Sequence, residues 1–232
     1  MTHVKLCGFQ TVGPVMAAIE AGVDAIGLVF VPTARRAVAV AQAAAVLAEA
    51  RASGGRLPAF VGLFGDQPSD EVNAVVDELG LDAVQLCGAE GMAYCARMTA
   101  PVYKVIGIDL ETPAAAQLPR VMVAQQRHAL AGHRIVVDAK TTGEYGGAGR
   151  SFDWKLAADL ARSFEMSLAG GLSPDNVAEA VERVAPWGVD ASSGVETDGE
   201  KDPAKIRAFV ETVRAVDRRS NPRGIRRLFG RG

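Results

Sequence analysis

Short apolar runs alternate with longer amphipathic segments along most of the chain. The amphipathic segments, such as SDEVNAVVDELG and DPAKIRAFVETVRAV, have the spacing of helices with one buried face. The short runs are β-branched or otherwise apolar and too short for helices, which predicts buried strands. There are eight of them: VKLCGF (4–9), AIGLVF (25–30), AFVGLF (59–64), AVQLCG (83–88), VYKVIGI (102–108), RIVVDAK (134–140), MSLAGGL (166–172) and VDASSGV (189–195).

Eight strand-then-helix units predict a parallel sheet. A closed (β/α)8 barrel, the TIM barrel, uses all eight strands in one sheet, and a doubly wound open sheet is the alternative. We expect residues 1–217 to form this single barrel domain. Residues 218–232 are expected to form a basic, flexible tail.

The composition fits one large hydrophobic core and bears on the cellular location of the protein. The chain has 232 residues, of which 49% are hydrophobic and 22% charged. Because the sequence has neither a leader-like start nor an apolar stretch of membrane-spanning length, we expect a cytoplasmic protein with no membrane partner. The three cysteines, Cys7, Cys87 and Cys95, are too scattered for a disulfide framework or a Cys-x-x-Cys metal site. Reduced thiols and no metal are therefore expected.

Charge is divided unevenly between the predicted domain and the tail. The tail RRSNPRGIRRLFGRG holds six arginines and no acid, so the net charge of −2 divides into +6 there and −8 for residues 1–217. An acidic domain of this kind argues against nucleic acid as a partner.

Polar and glycine-rich residues collect where the predicted strands end, which in a barrel is the catalytic face. Cys7 ends the first strand, Arg35 and Arg36 follow the second, and Asp138 lies near the end of the sixth. From position alone, Cys7 could fill the core, bind a metal or act as a reactive thiol. The glycine-rich loops after the last two strands, AGGLSPDNV and ASSGVETDGE, predict a phosphate site. Cys95 is expected in the core, and no catalytic role is expected for His3, His128 or His133.

Several of these stretches together resemble one enzyme family, the phosphoribosylanthranilate isomerases of tryptophan biosynthesis. They are VKLCG, PTARR, DAVQLCG, VVDAKTTGEYGGAGRSFDW, LAGGLSPDNV and VDASSGVE, and the resemblance spans residues 4–216. It implies a barrel enzyme without a cofactor, active as a monomer or homodimer, whose partner is a phosphorylated aminosugar. The implied reaction is the Amadori rearrangement of N-(5-phosphoribosyl)anthranilate to 1-(2-carboxyphenylamino)-1-deoxyribulose 5-phosphate.

The resemblance also implies residue roles. Cys7 matches the general base, Asp138 the general acid, and Arg36 the arginine that holds the anthranilate carboxylate. A solvated salt bridge is the alternative role for Arg36, and its neighbour Arg35 leaves the register open. Lys5 is not expected to assist Cys7, because it lies two levels away on the same strand face. The implied substrate-binding residues are Gly147, Gly149, Gly170, Gly171, Asp190, Ser193 and Gly194.

The chain departs from the family pattern at Gln10, Thr11, Cys87, Ala139 and Ala148. These departures are expected to affect substrate affinity and rate rather than reaction type. Two alternatives stay open: an isomerase acting on the related histidine-pathway aminoaldose or on both substrates, and a non-catalytic barrel that binds a phosphate ligand. An acidic residue in place of Cys7 is expected for the first, and loss of Cys7 or Asp138 for the second.

Overall fold

A computed structural model describes residues 1–140 and 154–220. Eight parallel strands close into a barrel in chain order, which confirms the (β/α)8 prediction. The closure is made by the first and last strands, which pair in register from His3 with Gly188 to Leu6 with Ala191 and so exclude an open sheet. The strands are β1 (His3–Cys7), β2 (Ala25–Val29), β3 (Ala59–Phe64), β4 (Ala83–Leu86), β5 (Val102–Asp109), β6 (Arg134–Lys140), β7 (Ser167–Leu168) and β8 (Gly188–Ala191).

Helices follow the strands and cover the outside of the barrel. They are α1 (Val12–Ala21), α2 (Val40–Ala52), α3 (Ser69–Leu79), α4 (Met92–Cys95), α5 (Ala114–Leu130), α6 (Trp154–Ala161), α7 (Val177–Val184) and α8 (Pro203–Ser220). After β8 come a 3-10 turn (Ser193–Val195) and a small antiparallel hairpin of β9 (Glu196–Thr197) and β10 (Glu200–Lys201). No helix within the described ranges is long and apolar enough to cross a membrane.

Alternation along each strand divides the core into two layers. Side chains that point outward, such as Leu6, Ile26 and Val137, form the large core beneath the helices. Side chains that point inward fill the barrel, and their upper members border the mouth. The inward cluster contains Cys7, Ala25, Val29, Val31, Val61, Leu63, Ala83, Tyr103, Val136 and Ala169.

Two elements differ in length from the sequence prediction, and α4 is only a single turn. β7 has two residues where a run of seven is apolar. α8 continues to Ser220 and so includes the first three residues of the predicted tail, 218–220. The rest of that tail, 221–232, lies outside the described residues.

Candidate active site

One cavity of about 560 Å³ opens at the carboxyl ends of the barrel strands. The parallel sheet brings residues that are far apart in sequence to this mouth, as expected for the fold. Seven of the residues predicted for the site line it: Cys7, Arg36, Asp138, Gly170, Gly171, Asp190 and Ser193.

Cys7 is the last residue of β1 and points into the barrel. Its Sγ is accommodated by Gly27 on β2, where a Cβ atom would lie 2.8 Å from the sulfur. Burial raises the pKa of the Cys7 thiol, while the positive charges of Lys5, Lys201 and Arg36 act to lower it. Lys5 has the largest lowering effect of the three on the Cys7 pKa, so it favours the thiolate, contrary to the expectation that it would not assist Cys7.

Lys5 lies beneath Cys7 and forms an ion pair inside the barrel. Its Nζ is 2.7 Å from Oδ2 of Asp190 on β8, and both side chains are buried. Asp190 Oδ1 is also buried, and no described group hydrogen-bonds to it. Because Asp190 lines the cavity, this oxygen is a polar group available to a ligand.

Arg36 is held in place by a carboxylate from the hairpin after β8. Its Nε and Nη2 donate to Oε1 and Oε2 of Glu196 at 2.6 and 3.0 Å. Lys201 donates to Glu196 Oε1 at 2.8 Å, and Arg35 to its Oε2 at 2.5 Å. The three cations lower the pKa of Glu196 to about 2. The salt bridge that was the alternative role for Arg36 is therefore present. It is buried rather than solvated, and it uses only the Nε–Nη2 edge of the guanidinium.

The other edge of Arg36 remains available, since no described residue accepts a hydrogen bond from its Nη1. The Arg36 stem packs on Gly8, whose φ is +83° and where a Cβ would lie 2.3 Å from Arg36 Cδ. Gly8, directly after Cys7, thus leaves room for this arginine, which no other residue type would do. Arg36 is largely covered with 13% of its side chain exposed, against 55% for Arg35.

Asp138 lies on β6 with its side chain toward the cavity. Gly170, at φ +91° in the loop after β7, lies beside it, and a Cβ there would be 3.1 Å from Asp138 Oδ1 and 2.7 Å from Ala139 Cβ. Ala139 points outward into the core under the helices. Its departure from the family pattern therefore does not change the cavity lining.

The loops after β7 and β8 lie against each other at one side of the mouth. A Cβ on Gly194 would lie 1.9 Å from the Leu172 carbonyl oxygen, so only glycine permits this contact. Gly194 therefore stands behind the cavity wall, which is lined there by Gly171 and Ser193. No described group accepts a hydrogen bond from the N–H groups of these two lining residues. N–H groups of this kind in adjacent loops are chemically suited to an anion.

Sequence reasoning missed Gln85, a buried side chain on β4 that lines the cavity. Its Nε2 is 3.8 Å from Cys87 Sγ, and its Oε1 has no hydrogen-bond partner among the described residues. Residues 83, 85 and 87 alternate toward the inside of the barrel, and this pattern could have identified Gln85 from the sequence. Burial raises the pKa of the Cys87 thiol to about 12, so this thiol is neutral.

Two departures from the family pattern lie at the edge of the site or beyond it. Gln10 Nε2 donates to the Ala37 carbonyl at 3.1 Å, and Thr11 precedes α1. The predicted site residues Gly147 and Gly149, and the departure Ala148, lie outside the described residues.

The (β/α)8 fold brings the Cys7 thiol, the Asp138 carboxyl group and the Arg36 guanidinium to one cavity. This arrangement is that of a barrel enzyme for a small anionic substrate. Residues 4–212 match the family described as N-(5'phosphoribosyl)anthranilate (PRA) isomerase. The N-(5'-phosphoribosyl)anthranilate isomerase of Roseiflexus castenholzii is 40% identical over 218 residues, which are 93% of this chain and 99% of that protein. That of Dehalococcoides mccartyi is 36% identical over 94% of this chain and 98% of that protein.

Solved structures give the same result. The phosphoribosyl anthranilate isomerase of Thermotoga maritima superposes with a TM-score of 0.79 at 29% identity, covering 93% of this chain and all of that one. A phosphoribosyl anthranilate isomerase structure in complex with reduced 1-(o-carboxyphenylamino)-1-deoxyribulose 5-phosphate has a TM-score of 0.77 at 28% identity, with the same coverage. The chain belongs to the phosphoribosylanthranilate isomerase family. It is an isomerase of tryptophan biosynthesis.

Proposed function

We propose that this cavity converts N-(5-phosphoribosyl)anthranilate to its aminoketose with Asp138 as general acid and Cys7 as general base. The observation that carries these roles is the placement of both side chains on the wall of one cavity, on strands β6 and β1. Ring opening needs a proton on the furanose oxygen, and the resulting iminium must lose its sugar C2 proton. One acid and one base satisfy both requirements.

The charges around Cys7 support its role as a base. A buried thiol is a weak base until it is deprotonated, and burial opposes that step. Lys5, Lys201 and Arg36 all favour the thiolate. Cys7 then holds the proton taken from C2 while the enolamine tautomerises to the ketone.

Substrate binding divides between the two sides of the mouth. The Nη1 edge of Arg36 fits the anthranilate carboxylate, for which a guanidinium is better shaped than an ammonium group. The N–H groups of Gly171 and Ser193, which line the cavity, fit the phosphate. Asp190 Oδ1, which lacks a described partner, fits a sugar hydroxyl. The bound molecule is then a small phosphorylated aminosugar.

The test is genetic and enzymatic. The gene should complement a tryptophan auxotroph lacking this isomerase and fail to complement a histidine auxotroph lacking the related aminoaldose isomerase. Purified protein should deplete freshly generated phosphoribosylanthranilate. Rescue of the histidine auxotroph would show a dual-substrate enzyme, and rescue of neither, with no turnover, would show a non-catalytic barrel.

A further inference from the structure

Three side chains that commonly bind metals meet outside the barrel wall. One possible ligand atom from each of Cys95, His128 and His133 lies within 4.8 Å of those of the other two. Cys95 ends α4, His128 lies in the last turn of α5, and His133 directly precedes β6. None of the three lines the active-site cavity, so the proposed mechanism does not use this cluster.

The two imidazoles already face each other through their ligand atoms. Nδ1 of His128 is 3.0 Å from Nδ1 of His133. At this distance one ring donates its N–H and the other accepts with a lone pair. The short turn between them is fixed by hydrogen bonds from the N–H groups of Ala131 and His133 to the His128 carbonyl, at 3.1 and 3.0 Å. The backbone therefore holds the pair in a geometry that a metal ion can use.

The spacing suits a tetrahedral Zn²⁺ ion. With Zn–N of about 2.0–2.1 Å and Zn–S of about 2.3 Å, ligand nitrogens lie about 3.3 Å apart and a nitrogen and sulfur about 3.6 Å apart. The histidine nitrogens, now 3.0 Å apart, would open by only about 0.3 Å, while the Cys95 sulfur, within 4.8 Å of them, would close by up to about 1.2 Å. The metal would take the place of the proton that the rings now share. Thiolate and imidazole donors favour zinc over the harder cations.

The surroundings permit binding and entry. Cys95 is 3% and His128 8% exposed, whereas His133 is half-buried and gives a route from solvent. The nearby Lys104 charge is already neutralised by Glu90, 2.6 Å away.

We propose that Cys95, His128 and His133 form a Zn²⁺ site with water as the fourth ligand. On binding, the Cys95 thiol releases its proton to solvent, and the ring that donates the shared hydrogen bond moves its proton from Nδ1 to Nε2, so that both rings bind as neutral imidazoles. The ion links α4 to the turn between α5 and β6 and stabilises this side of the barrel. Its role is structural, separate from the active site.

Co²⁺ is the probe that tests this site, because a thiolate ligand gives it a charge-transfer band. The full chain, without a polyhistidine tag and freed of metal by a chelator, should bind one Co²⁺ per chain with that band and tetrahedral visible absorption. Zn²⁺ should displace the Co²⁺ and raise Tm. A chain with neither the band nor a Zn²⁺-dependent Tm shift would overturn the proposal and leave the histidine pair as a structural hydrogen bond.

Variants separate this site from the other thiols. Cys95→Ser should abolish the band, and His133→Ala should weaken Co²⁺ binding by more than about 100-fold, since loss of a partner behind a ligand already costs about 10–100-fold. Circular dichroism in chelator checks that both variants remain folded. The matched control Cys7→Ala should keep the full spectrum. A band retained in Cys95→Ser, or lost in Cys7→Ala, would place the metal elsewhere and contradict the proposal.

Discussion

Two of the lysine–carboxylate pairs buried within the described residues lie on opposite sides of the barrel wall. Inside, Lys5 Nζ is 2.7 Å from Asp190 Oδ2, and outside, Lys104 Nζ is 2.6 Å from Glu90 Oε2. The outer pair is saturated: Lys104 also donates to the carbonyls of Leu86 and Gly88, and Glu90 Oε1 accepts the Asp66 N–H at 2.8 Å.

The inner pair is not saturated in the same way. Lys5 makes one hydrogen bond to the described residues, and Asp190 Oδ1 makes none. Buried polar groups are normally satisfied, so an unsatisfied oxygen on the cavity wall is a place where a ligand can supply the missing partner. We infer that the same motif serves two purposes: the saturated pair stabilises the loop after β4, and the unsaturated pair faces the Cys7 thiol, the proposed general base.

The largest expected effect is on the cavity side. Cys7→Ala and Asp138→Asn should each lower kcat by about 10² to 10⁴ with little change in KM, because each group acts on a proton in the transition state. Steady-state kinetics on folded protein measures this. Near-full kcat in either variant would show that the residue has no part in the mechanism. In a separate experiment, bound product should slow the alkylation of Cys7.

Substitution of each lysine in turn should distinguish an effect on stability from an effect on the reaction rate. Lys104→Met leaves Glu90 buried without its partner and should lower the free energy of unfolding by about 3–5 kcal/mol. The kcat of the molecules that remain folded should be unchanged. The double variant Lys104→Met, Glu90→Leu should recover much of the stability. Urea unfolding and kinetics on the same samples measure both quantities.

Lys5→Met should also lower stability, but in addition it should slow the reaction. Loss of a charge that favours the Cys7 thiolate raises the thiol pKa, and one pKa unit corresponds to about tenfold less thiolate below that pKa. The rising limb of the pH–kcat profile should move to higher pH. If Lys5→Met and Lys104→Met give the same profile, the distinction between the two pairs is wrong.

Much of this comparison was out of reach from sequence. Periodicity predicted the strand order, and strand ends predicted that Cys7, Asp138 and Arg36 would meet. The Lys5–Asp190 pair depends on the register in which β1 closes on β8, which no local pattern encodes. The Glu196 contact with Arg36 depends on a hairpin beyond the last barrel strand. The cluster of Cys95 with two histidines depends on how α4 and α5 pack, so their separate positions gave no signal.

A smaller effect is expected at the two arginines. Arg36→Ala should raise KM by about 10- to 150-fold, which corresponds to about 1.5–3 kcal/mol for a charge-assisted hydrogen bond. Arg35→Ala should do less, because Arg35 is the more exposed of the two. A larger KM change for Arg35→Ala would shift the assigned carboxylate contact by one residue.

Glu196 should make stability depend on pH in the acid range. Its pKa is about 2 in the folded protein, below the ordinary 4.5, so its contribution is complete above about pH 5 and is lost as pH falls from 4.5 towards 2. Glu196→Gln removes that contribution. The stability difference between wild type and variant should therefore shrink between pH 5 and 3 in urea unfolding. A constant difference would contradict the assigned pKa.

The smallest effect is expected from removing the basic tail. α8 is tied to the chain start by residues before the cut: Asp217 accepts hydrogen bonds from the Thr2 N–H and hydroxyl, the shortest 2.7 Å, and Arg214 donates to the Thr2 carbonyl at 2.5 Å. Beyond them, Arg219 makes an exposed 3.4 Å pair with Glu182. Such pairs contribute about 0–1 kcal/mol and weaken with salt.

A chain ending at Asp217 should therefore fold, keep its kcat and lose at most about 1 kcal/mol at low ionic strength. The control is a chain ending at Ser220, which keeps the whole of α8 and should match the full chain in stability. Urea unfolding in low and moderate salt, with light scattering for oligomeric state, measures the difference. Dissociation of an oligomer, or a tenfold loss of activity in moderate salt, would show instead that Leu228 and Phe229 dock on a neighbouring subunit or that the arginines hold an acidic partner.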